Sequence, residues 1–200
     1  IWAVDAQGEV RWKQSMTAMP SAMSLNASWG AEKALCVFVG TAKGTIEIRE
    51  ARGGDKLESL DTQSALPVTG LAMHGGEVLA VTSQGLSCFS ADCALRWQTP
   101  LPGAQGVTVE QLEGAPCFMV TSGTGVLYGL AADGGIRWRD TRAAGPLIGA
   151  CVAADIDSDH NVECLYVAQD RFLRLLELGP RNAPALPRDA FPAVVSSSSE

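Results

Sequence analysis

The sequence predicts an all-β fold: a β-propeller of four-stranded antiparallel blades, present as about four to five blades of a larger propeller. Three observations predict it. Short apolar runs alternate with glycine-rich clusters, as in residues 116–140, PCFMVTSGTGVLYGLAADGGIRWRD. That alternation is the sequence form of antiparallel hairpins. The unit recurs: Val39, Val81, Val120 and Val167 each end the first apolar run of a copy, at spacings of 42, 39 and 47 residues. Four short strands in a period of about 40–45 residues make a propeller blade. The copies also share punctuation. Trp12, Trp97 and Trp138 close a last strand, Leu57 or Glu58 stands where a fourth Trp would fall, and Pro20, Pro67, Pro102 and Pro146 precede first strands.

In chain order, residues 1–14 supply two strands, the outer half of a blade whose inner strands are missing. Residues 21–27 form a weak first strand and 28–33 a loop, in which Trp29 is a packing residue. Strands at 35–40, 45–50 and 56–61 complete that blade; Ile46, Ile48 and Ala51 alternate with Glu47, Arg49 and Glu50, which predicts a half-exposed strand. Residues 68–73 open the next blade, with His74 and two glycines turning the chain into 77–97. Residues 107–112 open the blade that contains 116–140, and 148–154 open the last, continued by 163–178. The propeller therefore spans 1–178. Residues 179–200 hold four of the ten prolines and end in SSSSE, which predicts a disordered tail with at most one outer strand near Leu186 or 191–195. Half a blade plus about four does not close a ring, so further blades are expected upstream or from a partner.

Composition narrows the function. A hydrophobic content of 46% with 18% charge predicts a chain that builds a core. A net charge of −7 argues against a nucleic-acid or anionic-membrane surface, and no apolar run reaches the roughly 18 residues of a membrane span. Lys13, Lys33, Lys43 and Lys56 are scattered, as on a solvated surface. The six cysteines include no CxxC pair, which leaves a zinc site without support. Cys36, Cys117 and Cys164 stand three residues before a marker valine and are expected to be buried free thiols, a weak pointer to a reducing, intracellular setting. His74 and His160 are expected on surface loops. SGTGVLYG, residues 122–129, lacks the following helix that a phosphate loop needs.

Residues 1–12 carry Ala3, Asp5, Gly8, Glu9 and Trp12; residues 129–138 carry Gly129, Ala131, Gly134, Gly135 and Trp138. Cys88, Ser90, Cys93, Ala94 and Trp97 keep the same frame. The pattern resembles the repeat of PQQ-like, quinoprotein-type propellers, in which the Trp docks between neighbouring blades. The likeness covers nearly all of 1–178 and implies the fold; it says little about activity. PQQ itself is not expected, because the adjacent cysteine pair of such enzymes is missing. In this alignment Cys88 matches Gly129 and Ala3, while Cys93 matches Gly134 and Gly8. Two small positions predict close backbones, with Cys88 and Cys93 side by side across a hairpin.

One segment departs from the repeat. In AADIDSDHNVECLYV, Asp155, Asp157, Asp159 and Glu163 fall at positions 1, 3, 5 and 9. Acids at alternating positions of a tight loop, with one returning from the next strand, suit calcium, which takes six to eight oxygens. The segment resembles the calcium loop of FG-GAP or VCBS propeller repeats, and that resemblance implies these four residues as metal ligands. Ser158 and His160 replace the glycines of that loop, which predicts weak calcium binding at most; the competing reading is a metal-free loop of solvated acids. The expected function is a non-enzymatic propeller scaffold or protein-interaction module with protein partners. The alternatives are a piece of a PQQ-dependent dehydrogenase and a ligand-sensing propeller appended to an enzyme or receptor.

Overall fold

A computed structural model describes residues 1–29, 34–158 and 160–178. The expectations for the loop around 30–33, for Asp159 and for the tail at 179–200 lie outside the described residues. The described chain is all-β, and none of it is helical. Among the described residues, no helix is long and apolar enough to cross a membrane.

Among the described residues, the strands form five antiparallel sheets in chain order. A hairpin of β1 (Trp2–Val4) and β2 (Val10–Lys13) comes first. Next is a four-stranded sheet of β3 (Pro20–Trp29), β4 (Ala34–Thr41), β5 (Thr45–Glu50) and β6 (Lys56–Asp61). The third contains β7 (Gly70–His74), β8 (Glu77–Thr82), β9 (Gly85–Phe89) and β10 (Leu95–Pro100). The fourth contains β11 (Ala104–Leu112), β12 (Ala115–Ser122), β13 (Leu127–Leu130) and β14 (Ile136–Asp140). The last has, among the described residues, three strands, β15 (Val152–Ala154), β16 (Glu163–Val167) and β17 (Leu173–Glu177). Each four-stranded sheet runs in simple up-and-down order, because its turns are too short for anything but hairpins. The strand expected over 148–154 is shorter than predicted. Leu147 bridges to Ala168, and the chain joins the sheet again only at Val152.

Second strands read as continuous apolar runs because both faces are covered. On β8, Val78 and Ala80 pack with Phe38, Ile46 and Ile48 of the sheet before; Leu79 and Val81 pack with Phe118 and Val120 of the sheet after. A third core joins Cys117, Met119 and Leu127 to Cys164, Tyr166 and Leu176. This alternation corrects the marker valines. Phe38 packs toward β8, so Val39 on the same strand points the other way, as Val120 does; Val81 and Val167 point forward along the array. The counterpart of Val39 and Val120 is Ala80. A one-residue slip changes the spacing by only one residue but reverses the face.

First strands of successive sheets lie side by side: β3 touches β7, β7 touches β11, and β11 touches β15. A Cβ on Gly106 would stand 2.8 Å from the Ala150 Cα, so the approach there needs glycine. Among the described residues, the fourth strands β6, β10 and β14 make no contact of comparable breadth with one another.

Tryptophans fill the outer gap. The Trp12 indole N–H donates to the Ala51 carbonyl at 2.9 Å, and the Trp97 N–H donates to the Ala132 carbonyl at 3.0 Å, each on the outer turn of the next sheet. The rings lie on Gly54 and Gly134, where φ is 78° and 82° and a Cβ would come within 2.7 and 2.6 Å of ring carbons. Glu58, opposite Ile48, takes the place of the fourth Trp. The turn it faces carries Cys93 (φ 67°) at the glycine position, where no indole demands the space.

That pattern corrects the Cys88–Cys93 expectation. Cys88 is small because it lies opposite Trp97, as Ala3 lies opposite Trp12 and Gly129 opposite Trp138. Cys93 is a left-handed turn residue. Cys88 packs with the core toward β12, whereas Cys93 packs with the core toward β4. All six cysteines are free thiols.

A second correction concerns β5. Glu47 and Arg49 are buried, because residues 15–17 lie across that face. Trp29 is buried with its ring edge-on to Phe38 at 4.9 Å, as a packing residue should be.

Candidate metal centre

The acidic loop joins β15 to β16. Glu163 starts β16 opposite Ala154, and its side chain is buried beneath the loop with one carboxylate oxygen accepting the Ile156 N–H at 2.7 Å. Asp155 accepts the His160 N–H at 3.1 Å and so closes the loop on itself. Asp155 and Asp157 are exposed. One carboxylate oxygen from each of Asp155, Asp157 and Glu163 lies within 4.8 Å of the others. Two calcium–oxygen bonds of about 2.3–2.6 Å span at most about 5 Å, so one ion fits among the three. The donors are all hard oxygens, which suits calcium and not zinc. Three acids leave at least three coordination positions for backbone carbonyls and water. The structure thus brings together three of the four predicted ligands.

Ser158 and His160 have φ of 63° and 70°. These are the positions where the resembling calcium loops carry glycine. An L-residue in this region costs about 1–2 kcal/mol, so the loop holds its turn against local strain. A cleft of about 300 Å³ lies beside it, lined by Gln111, Glu113, His160, Asn161 and Leu178 among others. His160 is exposed there, as expected of a loop residue. His74 is half-buried at the end of β7, with its ring edge-on to Phe118 at 5.8 Å.

Two polar clusters nearby were not legible in the sequence. Asp140, at the end of β14, accepts the Tyr166 O–H at 2.6 Å and pairs with the Arg142 guanidinium at 2.6 Å. Burial alone would raise the Asp140 carboxyl; the Arg142 and Tyr166 hydrogen bonds outweigh it and hold the group below the usual carboxylate range. The network ties β14 to β16 across the third core. The second cluster is Cys151 and Cys164, buried together in that core with Cys117. The neighbouring Cys151 thiol, with burial, pushes the Cys164 thiol far above its ordinary value. Neither cluster carries a spacing signal, because Asp140 meets Tyr166 only across two sheets and Cys151 nears Cys164 only through the pairing of β15 with β16.

No family model matches the chain, and no curated protein does either. Solved structures do match. The computationally designed Ika4 protein superposes with a TM-score of 0.61 at 14% identity, over 83% of this chain and 95% of that one. The computationally designed Ika8 protein superposes with a TM-score of 0.64 at 13% identity, over 86% of this chain and 50% of that one. At such identities the likeness is one of fold.

Proposed function

We propose that the chain is a non-enzymatic β-propeller module whose sheets are blades and whose role is protein interaction. The observation that carries the reading is the fan: first strands packed at glycine distance, fourth strands apart, and a Trp wedge between them. Strands splayed from a common axis are the geometry of propeller blades, and such folds present broad faces built from loops. The first two sheets and the last expose large apolar side chains, among them Trp2, Met23, Leu25, Leu173 and Leu175. Apolar surface of that kind marks a contact face. Further blades, from more of the same chain or from a partner, would cover it.

The acidic loop is read as a weak calcium site that stiffens the β15–β16 connection. The carboxylate spacing supports this, and Glu163 supports it by being anchored before any ion arrives.

Cross-linking mass spectrometry on the full-length protein from its native source tests the module reading. Stoichiometric cross-links from a second protein to these sheets are expected. A protein that is free of partners and shows a quinone absorption band would overturn the reading in favour of the dehydrogenase.

A further inference from the structure

We infer that Cys151 and Cys164 form an oxidation site: a buried dithiol that hydrogen peroxide converts into a disulfide clasping both ends of the acidic loop. The step needs neither a metal on that loop nor any further blade.

Strand alternation turns the two thiols to one place. Val152 and Ala154 are exposed, whereas Cys151 is buried and Ala153 half-buried, so Cys151 and Ala153 face the third core. Ala153 lies opposite Cys164 on β16, and Cys164 is buried in the same core. Cys151 and Cys164 are therefore diagonal neighbours on one face of an antiparallel pair. Backbones in that relation lie about 7–8 Å apart. A disulfide needs Cα atoms about 4.4–6.8 Å apart, so closure takes a shift of roughly 1 Å.

The sheet has slack at that point. Leu147 bridges to Ala168 and Val152 pairs with Leu165, so four residues, 148–151, stand against two, Tyr166 and Val167. At the matching place in β11 only Gln105 is extra, between the pairs Ala104–Ser122 and Gly106–Thr121. A bulge of this kind bends the strand and re-aims its side chains. Ile148, Gly149 and Ala150 are exposed, and Gly149 has a φ of 66°. The Thr121 and Thr108 hydroxyls donate to the Gly149 and Cys151 carbonyls at 2.5 Å each, and a hydroxyl can turn to follow a small movement.

The other thiols are placed differently. Cys36 and Cys93 pack in the core toward β4, and Cys88 in the core toward β12. Cys117 shares the third core but comes from β12, so a bond to it would have to draw two sheets together. Cys151 is 4% exposed and Cys164 is 0%, which makes Cys151 the sulfur that peroxide meets first.

The Cys151 sulfur attacks one peroxide oxygen. An S–O bond forms, the O–O bond breaks, and the departing hydroxide leaves as water with the Cys151 thiol proton. The Cys164 sulfur then attacks the Cys151 sulfenic acid. The S–S bond forms, the S–O bond breaks, and the second hydroxide leaves as water with the Cys164 proton. Two thiols are oxidised and one peroxide is reduced to two waters. The ring so closed, residues 151–164, contains Asp155, Asp157 and Glu163.

The test treats the reduced, folded 200-residue protein with millimolar hydrogen peroxide, removes the peroxide with catalase, alkylates in denaturant and digests with trypsin. The fragment 143–171, between Arg142 and the cut after Arg171, contains Cys151, Cys164 and no other cysteine. It is expected to lose both alkyl groups and to regain them after dithiothreitol, while fragment 97–137, with Cys117, stays alkylated. In Cys164→Ser, dimedone should capture a sulfenic acid at Cys151. Mapping of the unsubstituted protein decides the bond whether or not that variant folds. Four results overturn the inference: fragment 143–171 remains fully alkylated, oxidation stops at a sulfinic acid without a bond, the bond joins Cys117 instead, or the bond appears only after unfolding in urea.

Discussion

Glu47→Gln is the most informative single substitution, because it removes one charge from a buried pair with almost no change in shape. Arg49 donates to the Glu47 carboxylate through Nε at 3.0 Å and Nη2 at 2.5 Å, and also to the Gly54 and Ser15 carbonyls at 2.9 and 3.2 Å. Thr17 donates its hydroxyl to the other carboxylate oxygen at 2.7 Å. The two side chains are 1% and 7% exposed, so neither charge can turn to water. Breaking a buried pair by removing one partner costs about 3–5 kcal/mol. Arg49 keeps two carbonyl partners, which places the expected loss near the lower end, about 3 kcal/mol. For a chain of this size that is a fall in melting temperature of roughly 6–12 °C. The double replacement Glu47→Leu/Arg49→Met removes both charges and should lie within about 1 kcal/mol of the parent, giving a coupling of about 2 kcal/mol or more in a double-mutant cycle. The pH dependence supplies an independent check. Burial acts to raise the Glu47 carboxyl, but the Thr17 and Arg49 hydrogen bonds outweigh it and the folded pKa lies below the ordinary value. Its contribution is therefore complete above the unfolded pKa of about 4.3 and is lost as pH falls through the lower folded value. Single variants within about 0.5 kcal/mol of the parent, at neutral pH in thermal and urea unfolding, would refute the buried-pair account.

Other outcomes follow from the turns and thiols. Gly134→Ala should destabilise by about 1–3 kcal/mol, since its methyl enters the Trp97 ring in a left-handed turn; Cys93→Gly at the equivalent turn should be neutral or stabilising by up to about 1 kcal/mol. Equal effects in thermal melts would undo the Trp–Gly pairing argument. A thiol reagent at neutral pH should label Cys93 first, because the other five thiols are buried and burial pushes Cys88 up to about 12 and Cys117 up to about 11. Rapid native labelling of two or more thiols would contradict the assigned cores. Calcium at millimolar concentration should raise the melting temperature, with an affinity of about 10⁻⁴–10⁻³ M, and Ser158→Gly/His160→Gly should tighten binding. A flat calorimetric titration with no calcium-dependent melting shift would remove the site.

Strand positions were largely legible because each hairpin announces itself twice, by its apolar run and by its turn. Residues 45–50 and 56–61 became β5 and β6 without adjustment. Facing was harder to read. Covered on both sides, β4, β8 and β12 lose the polar alternation that tells one face from the other, so Val81 could be aligned with Val39 although it points the opposite way. The burial of Glu47 and Arg49 was hidden for a related reason: the cover comes from residues 15–17, about 30 residues upstream. In the acidic loop, spacing alone placed Asp155, Asp157 and Glu163 together, because alternating acids and a returning strand are local facts. The left-handed turns at Ser158 and His160 were foreshadowed by the glycines they replace. Cys151 and Cys164 escaped notice because only the pairing of β15 with β16 brings them near.

The indole bonds also give the array a direction. Trp12 reaches forward to the turn at Ala51 and Trp97 forward to the turn at Ala132; the first and third sheets each lean on their successor through a group that the successor does not return. Removing β1 and β2 would strip the turn at Gly54 of its lid while leaving every later indole seated. Removing β11 to β14 would instead leave Trp97 with nothing to rest on. The two ends are therefore unequal as starting points for unravelling. Under mechanical load, a pull applied from the N-terminal side should release sheets one at a time, whereas a pull on the C-terminal side should draw against wedges still held from behind.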